Sequence, residues 1–115
     1  MLPLAFVEWL YRVLRRTRPR LLVSDVAERP TDPELLDGLL FREVRDGHVK
    51  WGHFRCPRCG EHVQIGLACD SDWRLRVDML RRPSVSPSIW QTAGCGAHFV
   101  VRNGEIEWCS SVLEA

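Results

Sequence analysis

The 115-residue chain reads as mainly β and α+β overall: one N-terminal helix ahead of a small antiparallel, zinc-ribbon-like sheet. Three observations predict this. From residue 39 onward, apolar and polar residues alternate with the period of two that marks half-buried strands. Asn103-Gly104 sits between two such segments, and this dipeptide supplies the two positive φ angles that a two-residue hairpin turn demands. Cys56-Pro57-Arg58-Cys59, with Cys95 and Cys109 further on, has the short spacing that places thiolates around one tetrahedral ion.

Taken in order, residues 4–16 place Leu4, Val7, Leu10 and Leu14 at helical spacing, with Tyr11 beside Leu10 and arginines behind. This helix must stop before Pro19. Packing on its own domain is at least as good an account of its apolar stripe as docking on a partner or a membrane. Leu21-Leu22-Val23 reads as a short strand. Asp32-Pro33-Glu34 opens a helical turn, with Asp as N-cap and Pro at the first position, and Gly38 ends it. Leu39–Val44 and His48–Phe54 follow as strands around a tight Asp46-Gly47 turn. Val63, Ile65 and Leu67 alternate with Gln64 and Gly66, and Trp73, Leu75 and Val77 alternate with Arg74, Arg76 and Asp78. Residues 81–87, rich in Pro and Ser, read as irregular.

The last hairpin specifies its own register. A two-residue turn pairs Arg102 with Glu105, Val101 with Ile106, Val100 with Glu107, Phe99 with Trp108 and His98 with Cys109. Phe99, Val101, Ile106 and Trp108 then share the core face, and His98 and Cys109 are cross-strand neighbours on the other. A one-residue slip would expose the whole core set. The chain divides into residues 1–38, helix and connecting segment, and 39–115, a zinc-binding β domain, within one compact unit.

Charge excludes some functions. The formal net charge is +1, so no global field draws nucleic acid or membrane, although residues 1–20 carry five arginines against Glu8. The tryptophans at 73 and 108 are needed in the core rather than as stacking platforms for bases. The apolar start is interrupted by Glu8 and Arg12, far short of the roughly 18 apolar residues of a membrane span, and it has no basic leader. An odd count of five cysteines, four of them in metal-ligand spacing, indicates a reducing cytoplasm.

The metal site expected is structural Zn2+ on Cys56, Cys59, Cys95 and Cys109, with His98 as the alternative fourth ligand. Pro57 and Gly60 favour the turn that points both knuckle sulfurs inward. Cys69 reads as a free thiol. A small β domain gains much from such an ion, on the order of 10 kcal/mol in zinc peptides.

Ser88 and His98 form the second constellation. Pro87 fixes the backbone ahead of Ser88, and Gly94 and Gly96 permit the chain to return sharply to His98. A serine within reach of a histidine can be a nucleophile and its base, and main-chain N–H groups around Gly94–Gly96 are candidates to hold an oxyanion. Glu107, Asp70 and Asp72 are the acids placed to complete a triad. A serine after proline is more often an ordinary loop residue, and a histidine at C-x-x-H spacing is as readily a zinc ligand as a base.

Pro87-Ser88-Ile89-Trp90, Cys95-Gly96-Ala97-His98-Phe99 and Gly104-Glu105-Ile106-Glu107-Trp108-Cys109, preceded by Phe54-Arg55-Cys56-Pro57-Arg58-Cys59-Gly60, resemble a known set of proteins. These are the small Cys/His-rich proteins that bacteria encode beside ubiquitin-like modifiers and their activating and conjugating enzymes. The resemblance covers roughly residues 39–109. It implies a deubiquitinase-like serine peptidase that matures the modifier or removes it from targets, with Ser88 as nucleophile and His98 as base. The implied partners are the modifier and those enzymes. Two departures stand out: Ala97 where the family often has Ser, and Arg58 or Glu61 where its knuckle often has a further Cys. The alternative is a non-catalytic zinc-ribbon adaptor of the same pathway, with His98 on the ion. An exposed strand edge, for which Leu39–Val44 is the candidate, would take the modifier tail by β-augmentation.

Overall fold

The computed structural model describes residues 1–109; the expected β segment 39–115 therefore extends beyond the described residues. One helix, α1 (Leu4–Val13), is followed by eight strands: β1 (Leu22–Val26), β2 (Leu39–Arg45), β3 (His48–Arg55), β4 (His62–Gly66), β5 (Arg74–Val77), β6 (Pro83–Trp90), β7 (His98–Arg102) and β8 (Glu105–Trp108). A 3₁₀ turn at Asp32–Glu34 carries a capping box, in which the Glu34 carboxylate accepts the Thr31 N–H. The mainly β, α+β class is as the alternation implied.

The strands divide into two four-stranded sheets, β1-β2-β3-β4 and β5-β6-β7-β8. All pairs are antiparallel except β1 with β2, which run parallel. The core lies between the sheets. Leu40, Phe54, Val63 and Ile65 from the first meet Val85, Ile89, Phe99 and Val101 from the second, and Phe54 packs edge-on to Phe99 at 6.1 Å. Alternation dictates this, because a sheet hydrophobic on one face must cover that face with another layer.

Turn chemistry sets the hairpins. Asp46 and Gly47 have φ of 52° and 78°, and Asn103 and Gly104 of 51° and 81°. Gly104 has a second reason to be glycine: a Cβ there would lie 2.6 Å from the Leu21 carbonyl oxygen and 2.7 Å from Pro19 Cβ. The close approach lets Leu21 N–H donate to the Gly104 carbonyl and Gly104 N–H to Pro83, joining the N-terminal segment to the second sheet.

Three expectations are corrected. Residues 83–90, read as irregular through residue 87, form β6. Its two prolines stand where a strand tolerates them: Pro83 is its first residue, and Pro87 lies in a bulge. The Leu39–Val44 segment is not an edge, because β1 covers one side of β2 and β3 the other. Trp108 faces as the hairpin pattern requires, but on the edge strand β8 it remains 48% exposed, with the Arg58 guanidinium 5.0 Å above its ring. The helix packs through Val7, which is fully buried, while Phe6, Trp9 and Val13 stay exposed.

Candidate active site

Ser88 and His98 meet because β6 and β7 change register between them. Val85 pairs with Val101 and Ile89 with Phe99, so Ser86, Pro87 and Ser88 together oppose Val100. Bulges of this kind re-aim a side chain. The hydroxyl of Ser88 lies 2.8 Å from His98 Nε2. Trp73 Nε1–H donates to the Ser88 carbonyl at 3.4 Å, anchoring the bulge from beneath. On the solvent side the Trp90 indole stacks on the imidazole, with centroids 4.7 Å apart and planes within 12°; Trp90 and His98 are cross-strand partners.

The imidazole's other nitrogen, Nδ1, is buried and has no hydrogen-bond partner among the described residues. None of the acids considered for a triad reaches it, and Glu107 instead accepts from Arg102 at 2.7 Å. The Gly94 and Gly96 N–H groups both donate to the Gln91 carbonyl, at 3.1 and 2.9 Å. They close the loop before β7, so these two N–H groups are engaged and not free for an oxyanion.

The same loop delivers Cys95 to the knuckle. Cys56 N–H donates to the Glu61 carbonyl and Gly60 N–H to the Cys56 carbonyl, at 2.8 and 2.9 Å, and this turn presents Cys56 and Cys59. The sulfurs of Cys56, Cys59 and Cys95 all lie within 4.8 Å of one another, and Cys56 Sγ stands 3.7 Å from Cys95 Sγ. Two sulfurs on one tetrahedral zinc, each about 2.3 Å from it, are about 3.8 Å apart, whereas a disulfide requires about 2.05 Å. The cluster has the dimensions of an ion site. Cys109 and His98, the expected choices for a fourth ligand, stand outside it; Cys109 N–H is held by the His98 carbonyl at 2.9 Å. Cys69 is an exposed free thiol, as read.

The clustered thiols titrate unequally. The Ala97 N–H bonded to its sulfur, then the thiols of Cys59 and Cys56 and the Arg58 charge, hold Cys95 below the ordinary thiol value against partial burial. For Cys59 the Glu61 N–H favours the thiolate, but burial and the Cys95 and Cys56 sulfurs outweigh it and push the thiol up. Sulfurs this close cannot all ionise without a counter-charge.

Sequence reasoning missed a third constellation, on the outer face of the first sheet. His53 is fully buried; its Nε2 lies 2.8 Å from Glu43 Oε1 and its Nδ1 2.8 Å from His62 Nε2. Arg45 Nε donates to the other Glu43 oxygen at 2.7 Å. An ionised Glu43 makes His53 Nε2 the donor, so in the neutral ring Nδ1 accepts from His62. Burial opposes the Glu43 carboxylate, but the bonds from His53 and Arg45 outweigh it and hold the carboxyl below its ordinary value. Burial first, then His53, Arg29 and Arg55 against Asp32, lower His62. The available signal was three polar residues at positions that would share one face.

The described site thus holds a serine hydroxyl at hydrogen-bond distance from a histidine nitrogen, together with three clustered cysteines, in a small two-sheet scaffold. Residues 26–109 match the family described as "Bacterial ubiquitination-like system serine protease (BubE)", and the chain belongs to that family. No curated protein and no solved structure matches it. Among the described residues no helix is long and apolar enough to cross a membrane.

Proposed function

We propose that this chain is the peptidase its family name describes, with Ser88 as nucleophile and His98 as general base, cleaving an amide bond at the C-terminus of a ubiquitin-like modifier. The observation that carries this reading is the 2.8 Å contact between Ser88 Oγ and His98 Nε2. It is the distance proton transfer needs, and it holds the imidazole away from the thiolate cluster, where the adaptor reading requires it.

Ser88 Oγ attacks the scissile carbonyl carbon, the π pair moves to the oxygen, and the hydroxyl proton passes to Nε2. Collapse of the adduct breaks the C–N bond, and Nε2 returns the proton to the leaving amine. Water then attacks the acyl-serine, giving its proton through Nε2 to Ser88 Oγ and releasing a carboxylate. For Nε2 to accept, the ring's hydrogen must sit on Nδ1. With no carboxylate there among the described residues, the Trp90 stack is what orients the ring. Its π face also favours the imidazolium that forms in the transition state, by about 0.5–2 kcal/mol.

Cys56, Cys59 and Cys95 would hold a zinc ion, which supplies a structural cross-link between the knuckle and the loop leading to His98. The modifier and the enzymes of its conjugation pathway are the partners in this reading, in the cytoplasm where thiols stay reduced.

The test incubates wild type and Ser88→Ala with a fluorophosphonate probe and with a tail-extended modifier encoded beside the protein. Wild type is expected to take up the probe and cleave the tail. Ser88→Ala should take up none and cleave about a thousandfold more slowly or worse. Equal cleavage by the two proteins removes Ser88 from the mechanism.

A further inference from the structure

The outer face of the second sheet carries more than the serine and histidine. A groove of about 400 Å³ runs along it, lined by Arg74, Arg76, Ser84, Ser86, Val100 and Arg102 among others. Strand pairing explains the lining: Arg74 lies opposite Ser86 and Arg76 opposite Ser84, while Leu75, Val85 and Val101 point the other way into the core. The groove adjoins the candidate site along both strands. Ser86 belongs to the bulge that carries Ser88, and Val100 is two residues from His98 and so on the same face of β7.

Its charge is unbalanced. Arg102 is paired with Glu107 at 2.7 Å. Arg74 donates only to the neutral carbonyls of Ser71 and Trp73, which leave its charge uncancelled. Arg76 is exposed and has no ion pair among the described residues. Two guanidinium charges thus border a groove whose lining includes Ser86 and Val100, two residues from Ser88 and His98 respectively. The two arginines stand two residues apart on a strand, about 7 Å, which is the repeat of alternate side chains in an extended polypeptide.

We propose that this groove is a substrate subsite for an acidic polypeptide, receiving an extended segment beside the scissile bond whose carboxylates, at alternate positions, pair with Arg74 and Arg76. Guanidinium groups take carboxylates bidentately, and such pairing selects chains by charge and spacing. The inference deepens the peptidase reading and rests on it for the direction of the groove toward Ser88. It makes Arg74 and Arg76 specificity residues that bind the substrate without touching the bond broken.

The experiment uses the full chain and two fluorescein-labelled decapeptides, one alternating Glu with Gly and one alternating Gln with Gly, followed by fluorescence anisotropy. The Glu peptide is expected to bind at least tenfold more tightly, and the double variant R74Q/R76Q to lose that preference. Both side chains are exposed, so the fold is retained. The Glu peptide should also slow fluorophosphonate labelling of Ser88 in the wild type and fail to do so in the double variant. Equal binding of the two peptides overturns the proposal, as does a preference that survives in R74Q/R76Q. So does a single-stranded DNA of equal charge that binds as tightly as the Glu peptide. If Ser88 takes up the probe but the acidic preference is absent, the subsite falls and the peptidase stands. If the preference is present while Ser88 stays unlabelled, the groove remains an acidic-peptide surface and the peptidase falls.

Discussion

At His98 the two ring nitrogens stand in unequal surroundings. Nε2 holds the Ser88 hydroxyl, while Nδ1 is buried without a partner among the described residues. A conventional triad would orient the ring through Nδ1 with a carboxylate; here an indole lies flat against it. In the proposed mechanism Trp90 is a positioning residue, and Trp90→Leu should lower kcat about tenfold with KM nearly unchanged. Because Trp90 is exposed, circular dichroism of the variant should match wild type. Unaltered kcat would leave the ring oriented by other means. Ser88 and His98 stood out in the sequence through the family resemblance of the segments that carry them. Trp90 was not, since a lone tryptophan two residues past a serine gives no sign that β6 and β7 will place it across from His98. Glu43 and His53 were hidden for a related reason: alternation puts them on the outer face of their strands, yet both are buried, and the segment before β2 returns to that sheet where Arg55 donates to the Asp32 and Leu35 carbonyls.

The decisive element is the loop between β6 and β7. It ends β6 at Trp90, turns on the Gln91 carbonyl, delivers Cys95 to the knuckle and enters β7 at His98. An ion on Cys56, Cys59 and Cys95 would fix this loop from one end and the dyad from the other. Wild-type protein should hold about one zinc per chain, measured by atomic absorption. Cys95→Ser should hold it at least tenfold more weakly and unfold at lower temperature, as loss of one of three thiolates implies. Labelling of Ser88 should fall in the same variant, because His98 is three residues from the lost ligand. Full zinc occupancy in Cys95→Ser would place the ion elsewhere. The knuckle and the last hairpin were readable to the residue, since both are local: turn dipeptides and short cysteine spacing set them. The strand β6 was not, because its Pro and Ser content resembles a loop and only the partners on either side make it a strand.

On the scale of the whole molecule, the two sheets place the dyad and the Glu43–His53–His62 relay on opposite outer faces, with the core between them. The relay therefore bears on stability rather than on the chemistry. Both shifted groups bind protons less readily when folded: His62 lies below its ordinary 6.5 and Glu43 below 4.5. The unfolded chain takes up protons first on acidification, so the stability each contributes is present above its ordinary value and lost as pH falls toward its folded one. The urea midpoint should drop between pH 7.5 and 5 through His62, and again below pH 4.5 through Glu43. His62→Gln should flatten the first drop, and an unchanged drop would assign it to another group. Glu43→Ala, which leaves the buried His53 without its acceptor, should cost about 3 kcal/mol at neutral pH. By itself the sequence determined the class of fold, the register of the last hairpin and the two knuckle cysteines, because periodicity, turn dipeptides and short spacing act over a few residues, while Ser88 and His98 stood out through the resemblance of the segments that carry them. Only the tertiary structure decided that eight strands split into two sheets, that Cys109 stays away from the thiolate cluster, and that His98 meets a hydroxyl. Each of these depends on which strands become neighbours, and that is settled by burying the apolar faces of distant segments against one another.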